Sequence, residues 1–234
     1  MVARPVESTL ATLAGGSLGA LAGSVVGLPF AGGLVGGLNG LVSGHRRIYD
    51  GASPRGVAAF VLDSTWALPT TSAAVVAHAV AAVQSEPGYA SSLSERQNRH
   101  VYGRGLRFRR GFAITLGNVV NGAGDLTRTR RVKLVTDHED VHVWQARWFG
   151  PAFPVLYGGW MAGAAVAATG AWCLGRVGGR GHRSYGKLVE TCAYYLNPFE
   201  WWAYSRDAHW PPTGKLADVG WQRPVVQSFT HAAR

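Results

Sequence analysis

The order of apolar and polar positions divides the chain into blocks before any single residue is considered. Residues 1–9 are short and polar, and they predict a tail without fixed structure. From Leu10 to Gly44 there is no charged residue. That run exceeds the roughly 20 residues of one helical membrane crossing. Pro29 lies near its middle, in Gly27-Leu-Pro-Phe30, so the run reads as two helices joined by a turn. Glycines recur at four-residue spacing, at Gly15, Gly19, Gly23 and Gly27, then at Gly32, Gly36, Gly40 and Gly44. Positions four apart share a helix face, and faces of small residues let membrane helices approach closely. In water each such glycine would cost a helix about 1 kcal/mol against alanine. The spacing therefore points to a tight hairpin in lipid, or to a homo-oligomer built through glycine-zipper helices.

The pattern then changes. His45–Arg55 is a basic loop, which the positive-inside rule assigns to the cytoplasm. Residues 56–83 are apolar again but carry Asp63, Pro69 and His78, so Val61–Pro69 predicts a broken or interfacial segment with Trp66 at head-group level. Asp63 reads either as a functional charge at membrane depth or as an interfacial cap for the next helix. Residues 84–110 are polar and basic, with Arg96, Arg99, Arg104, Arg107, Arg109 and Arg110. Gly111–Val120 predicts one β-strand, followed by a turn at Asn121-Gly122 and a basic patch over Thr127–Arg131. A helix capped by Thr136 runs to Phe149 and stops at Gly150-Pro151. Phe149–Gly175 is a second uncharged run, with Gly158-Gly159 as a candidate break. Tyr185–Tyr195 is amphipathic, and a last helix begins at Asn197, with Asn197 as its cap and Pro198 at its first position.

Composition sharpens the class. In 234 residues, charged side chains make up 15% and hydrophobic ones 47%, with 32 glycines. The charged share is well below the roughly one quarter usual for soluble domains, which indicates a membrane protein. The net charge is +10, and 20 of the 23 basic residues are arginine. Clustered arginine suits anionic lipid head groups. No nucleic-acid-binding motif accompanies it. The bias toward Arg, Ala, Gly and Val indicates a GC-rich bacterial genome, hence a bacterial cell membrane. Cys173 and Cys192 form no Cys-x-x-Cys, which excludes a thiolate zinc site. One disulfide between them is open, and Cys173 reads as a small buried hydrophobe. The first apolar stretch is too long and too glycine-rich for a signal peptide.

The chemistry is concentrated in Thr136-Asp-His-Glu-Asp-Val-His142, which contains His-Glu-x-x-His. On a helix, His138 and His142 share a face and can reach one metal ion, with Glu139 placed to take a proton from bound water. Thr136-x-x-Glu139 can also be read as a capping box, which would make the histidines ordinary helix residues. A catalytic zinc site takes three protein ligands and leaves one position open. The acidic candidates downstream are Glu190, Glu200 and Asp207.

His138-Glu-Asp-Val-His-Val-Trp-Gln145, followed by Asn197-Pro-Phe-Glu-Trp-Trp-Ala-Tyr204, resembles the Glu-zincin metallopeptidases, and among them small bacterial members that pair His-Glu-x-x-His-x-x-Gln with Asn-Pro-x-Glu. The resemblance covers residues 111–210. It implies zinc held by His138, His142 and Glu200, with Glu139 as general base. It also implies that Asp207 or Asp137 orients a histidine, and that Tyr204, Tyr195 or His209 steadies an oxyanion. Asp140 departs from the family pattern, which usually has an uncharged residue there.

The expected fold is mainly α. A glycine-zipper membrane hairpin lies in residues 1–83, and a small α+β zincin-like domain with an embedded apolar helix (149–175) in residues 84–215. An irregular tail follows over 216–234. The span between His142 and Glu200 poses a problem, because residues 176–199 show no obvious return crossing. A re-entrant or packed helix, permitted by Gly158-Gly159, is the favoured resolution; a zinc site at membrane depth and a ligand other than Glu200 are the alternatives. The expected function is a membrane-associated zinc peptidase acting on a protein substrate. The alternative is a non-catalytic glycine-zipper membrane protein with a structural or degenerate metal site.

Overall fold

The computed structural model describes residues 3–106, 111–179 and 184–207. The chain is mainly helical and forms two compact units, Met1–Phe153 and Pro154–Arg234.

In the first unit, α1 (Arg4–Ser24) and α2 (Pro29–Arg46) form a helical hairpin, with the turn where Gly27-Leu-Pro-Phe30 predicts it. The glycines line the seam. A β-carbon at Gly36 would fall 2.1 Å from the Gly15 carbonyl oxygen, and one at Gly32 would fall 2.1 Å from that of Gly19. The large side chains point outward instead, with Leu21 68% and Phe30 93% exposed. Residues 4–9 belong to α1 rather than to an unstructured tail. Pro5 suits the first helical turn. Glu7 also binds Arg47 (3.1 Å) and Arg96 (2.7 Å), which fixes the helix start.

The broken segment appears as two helices, α3 (Pro54–Ser64) and α4 (Leu68–Ala82), separated at Thr65–Ala67. Asp63 is neither interfacial nor a cap. It is buried at 1% exposure and paired with Arg147. Gly111–Val120 is not one strand but a hairpin, β2 (Ile114–Leu116) and β3 (Val119–Asn121), reversing at Gly117 with φ +55°. The turn thus precedes Asn121-Gly122. β1 (His100–Val101) lies within the stretch read as polar and pairs parallel with β3, giving the order β1-β3-β2. Many of the arginines are ion-paired: Arg99 and Arg55 with Asp140, Arg104 with Glu86, and Arg47 with Glu7 and Glu95.

The histidine helix starts earlier than the sequence indicates. α5 (Thr129–Lys133) passes through a π-turn (Leu134–Glu139) into α6 (Asp140–Phe149), which ends at Gly150. Thr136 is therefore interior and caps nothing. Its hydroxyl donates to Asp137 Oδ1 at 2.6 Å. Val135 and Val143 seat this helix on Val101, Val120 and Ala123 of the sheet region. One face is thereby anchored in apolar contacts while the histidine face carries the polar groups.

The second unit is also a hairpin. α7 (Ala152–Val177) runs unbroken through Gly158-Gly159, contrary to the expected break. Glycine is tolerated there because the intrahelical backbone bonds continue regardless of side chain. Among the described helices α7 alone is long and apolar enough to cross a membrane. The chain then returns along it through α8 (Tyr185–Glu190), a π-turn (Thr191–Tyr195) and α9 (Pro198–Arg206). The pairs run antiparallel. Tyr185 meets Trp172, Leu188 meets Ala168, Cys192 accepts a bond from Trp160, and Glu200 accepts one from Tyr157. The return segment absent from the sequence reading is therefore residues 185–206, whose polar residues concealed it. Cys173 and Cys192 are free thiols, and Cys173 is exposed rather than buried.

Candidate metal centre

His138 and His142 are both buried, on successive turns where the π-turn passes into α6. Their Nε2 atoms lie 3.2 Å apart. Two nitrogens each ~2.0–2.1 Å from one tetrahedral ion would be roughly 3.3 Å apart, so the pair has the spacing that shared ligation requires. His142 Nδ1 lies 2.8 Å from Gln145 Oε1. The amide oxygen accepts, so Nδ1 carries the proton and Nε2 presents its lone pair. Gln145 is fully buried, one turn beyond His142. It orients the His142 ring. The Asp137 carboxylate accepts from its neighbour Thr136.

Glu139 is buried and held from the sheet. Thr115 Oγ1, on the edge strand β2, donates to Glu139 Oε2 at 2.7 Å. This fixes one carboxylate oxygen, and Glu139 is not a reciprocal cap for Thr136. Asp140, the departure from the family pattern, is occupied elsewhere. Arg99 reaches its Oδ1 at 2.5 Å and Arg55 its Oδ2 at 3.4 Å. Its charge serves an ion pair with a buried arginine, so it does not compete for a metal between the histidines.

In the second unit, Asn197 caps α9, its Oδ1 accepting from the Phe199 N–H at 3.0 Å, with Pro198 following. The cap places Glu200 in the first turn, 2% exposed, where Tyr157 donates to Oε1 at 2.6 Å. Of the other acidic candidates, Glu190 is only partly buried and Asp207 is buried at the end of α9. Tyr204 and Tyr195 pack together with Tyr194 and Trp201 in an aromatic cluster. His209 lies outside the described residues, as does the tail over 216–234.

His138 and His142 in the first unit and Glu200 in the second are each buried, and each is of a type that can ligate a metal ion. Sequence reasoning included Gln145 only as a motif position, without its contact to His142, and missed Thr115 and Tyr157. For Gln145 the three-residue offset from His142 was a usable signal; for Thr115 and Tyr157 there was none. Compared with protein-family models, curated proteins and solved structures, the chain has no match.

Proposed function

We propose that this chain is a membrane-associated metallopeptidase whose metal is held by His138, His142 and Glu200. The single observation that carries the reading is the buried histidine pair with its Nε2 atoms 3.2 Å apart and one ring oriented by Gln145. A mixed nitrogen and carboxylate donor set suits zinc. Glu200 is supported as the third ligand by its burial and by the Asn197-Pro-x-Glu motif on which the resemblance rests.

Zinc bound there would supply Lewis-acid polarisation and lower the pKa of a ligated water toward 7. The chain's own residues do the rest. Thr115 holds Glu139 Oε2, which leaves Oε1 as the atom that receives the water proton and later delivers it to the leaving amine. Gln145 keeps the His142 proton on Nδ1. Tyr157 fixes one oxygen of Glu200. The resemblance gives the oxyanion role to Tyr204, Tyr195 or His209.

Membrane association is supported by α7 and by the outward-facing leucines of the glycine hairpin. Anionic head groups are the counterpart for exposed basic residues such as Arg128 and Lys133 of the segment before the histidines. A homo-oligomer through the glycine faces is disfavoured, because those faces are used within the α1–α2 hairpin.

The test is metal content and peptide hydrolysis in detergent-purified protein under chelator-free conditions. About one zinc per chain is expected in the wild type, lost in His142→Ala and in Glu200→Ala. Glu139→Gln keeps the metal and loses hydrolysis. Wild type without metal overturns the reading, and metal lost only in His142→Ala removes Glu200 from the ligand set.

A further inference from the structure

We infer that Asp63 is the positioning residue of this centre: one buried carboxylate ties the histidine helix to the strand pair that holds Glu139. The inference rests on the metal reading above and adds a residue 75 positions before the first histidine.

Asp63 lies on α3 and is 1% exposed. A lone carboxylate in such a place would be strongly disfavoured, so its partners define its role. Arg147 donates twice in parallel, Nε to Oδ1 at 2.9 Å and Nη2 to Oδ2 at 2.8 Å. Such a bidentate fork fixes direction as well as distance. Arg147 is itself 1% exposed and sits on α6, five residues beyond His142, with Nη2 also on the Asn98 carbonyl at 2.5 Å. The fork therefore sets the height and rotation of the helix that carries both imidazoles.

The same carboxylate holds the other half of the site. Asp63 Oδ2 accepts from Tyr49 Oη at 2.7 Å and from Asn118 Nδ2 at 3.2 Å. Asn118 occupies the turn between β2 and β3, three residues from Thr115, which bonds Glu139. Burial and the adjacent Asp63 charge push the Tyr49 hydroxyl up, which keeps it a donor. A third arm reaches the glycine hairpin. Asn39 of α2 donates to Tyr49 Oη at 3.1 Å and accepts from Asn118 Nδ2 at 2.9 Å. α3, α6 and the β2–β3 turn thus meet at one anion, and α2 joins them through Tyr49 and Asn118.

Buried ion pairs are often no more stabilising than apolar residues of the same volume. Stability alone does not explain retaining this one, whereas a metal centre needs its ligands held to within about 0.5 Å.

The test uses cobalt(II) as the probe in the full chain, with its visible absorption bands and its affinity by chelator competition. Tyr49→Phe removes one donor to Asp63 and keeps the ring. The double variant Asp63→Leu/Arg147→Met removes both charges together, so no unpaired ion is left buried. Both are expected to keep wild-type helicity, yet to shift the cobalt bands and to weaken cobalt binding, the double variant by about 10-fold. Unchanged bands and affinity in Tyr49→Phe overturn the inference, as does a folded double variant with wild-type cobalt behaviour. Wild type that binds no cobalt overturns the metal reading itself.

Discussion

At the scale of the residue, the site divides into what the chain writes locally and what it assembles from afar. His138, His142 and Gln145 lie at i, i+4 and i+7, so helical periodicity places them on one face, with Glu139 beside it. Their relation was legible in the sequence, although Gln145 was read only as part of a motif. It makes a sharp prediction. Gln145→Ala removes the acceptor for His142 Nδ1, whose contact is 2.8 Å. The imidazole then loses both its tautomer preference and its orientation, and metal affinity should fall about 10- to 100-fold. Gln145→Glu keeps an acceptor and should bind within a few-fold of wild type. Chelator competition reads both, and an alanine variant with wild-type affinity would remove Gln145 from the centre. The other supports were not legible. Thr115 is 24 residues from Glu139, Asp63 is 84 from Arg147, and Tyr157 is 43 from Glu200. Contacts over such separations leave no periodic trace, because the fold and not the local chain brings the partners together.

At the scale of the element, glycine spacing and Pro29 sufficed to place α1 and α2, since both act through backbone sterics that sequence records directly. The π-turns were invisible. Leu134–Glu139 contains the candidate ligand His138, and Thr191–Tyr195 ends five residues before Glu200, in keeping with the frequent placement of π-turns at functional sites. A π-turn is a shift in hydrogen-bond register, which no side-chain pattern announces. It also misled the reading of Thr136, whose Thr-x-x-Glu spacing mimics a cap. The hairpin seam supports a paired prediction. Gly36→Ala would drive a methyl to 2.1 Å from the Gly15 carbonyl oxygen, so the helices must separate. The expected loss is about 1–3 kcal/mol, as for overpacking elsewhere. Gly37→Ala meets nothing closer than 3.8 Å and should gain up to about 1 kcal/mol of helix propensity. Thermal unfolding in mild detergent, followed by circular dichroism, separates the two. Equal effects from both would mean that the close approach of the backbones is not what the glycines provide.

At the scale of the molecule, the first unit reverses the usual distribution: leucines face outward on the hairpin while Asn39, Ser43, Asp63, His100, Asn118 and Arg147 are inside. Composition indicated the apolar exterior, but nothing in it distinguishes an interior asparagine from a surface one. A polar interior of this kind is sensitive to acid. His100 is fully buried, with Ser43 Oγ 3.0 Å from Nε2, Tyr89 Oη 3.1 Å from Nδ1, and the His78 ring 4.4 Å away. Burial, then the neighbouring His78 and the Arg46 and Arg147 charges, hold its pKa well below the usual histidine value. The sign follows from linkage. Above about pH 6.5 both the folded and the unfolded chain carry neutral His100, and the group contributes no pH dependence. Below that value the unfolded chain takes up a proton that the folded chain refuses. Stability then falls by about 1.4 kcal/mol per pH unit until the depressed folded pKa is reached. His100→Gln removes the titration and can still bond both neighbours. Other groups titrate in both proteins, so the difference between their slopes isolates His100. Between about pH 7.5 and 6.5 the two stability curves should run parallel, and below that the wild type should fall more steeply. Curves that stay parallel down to about pH 5 would mean that water or a proton reaches His100 in the folded chain, and that the interior around it is open.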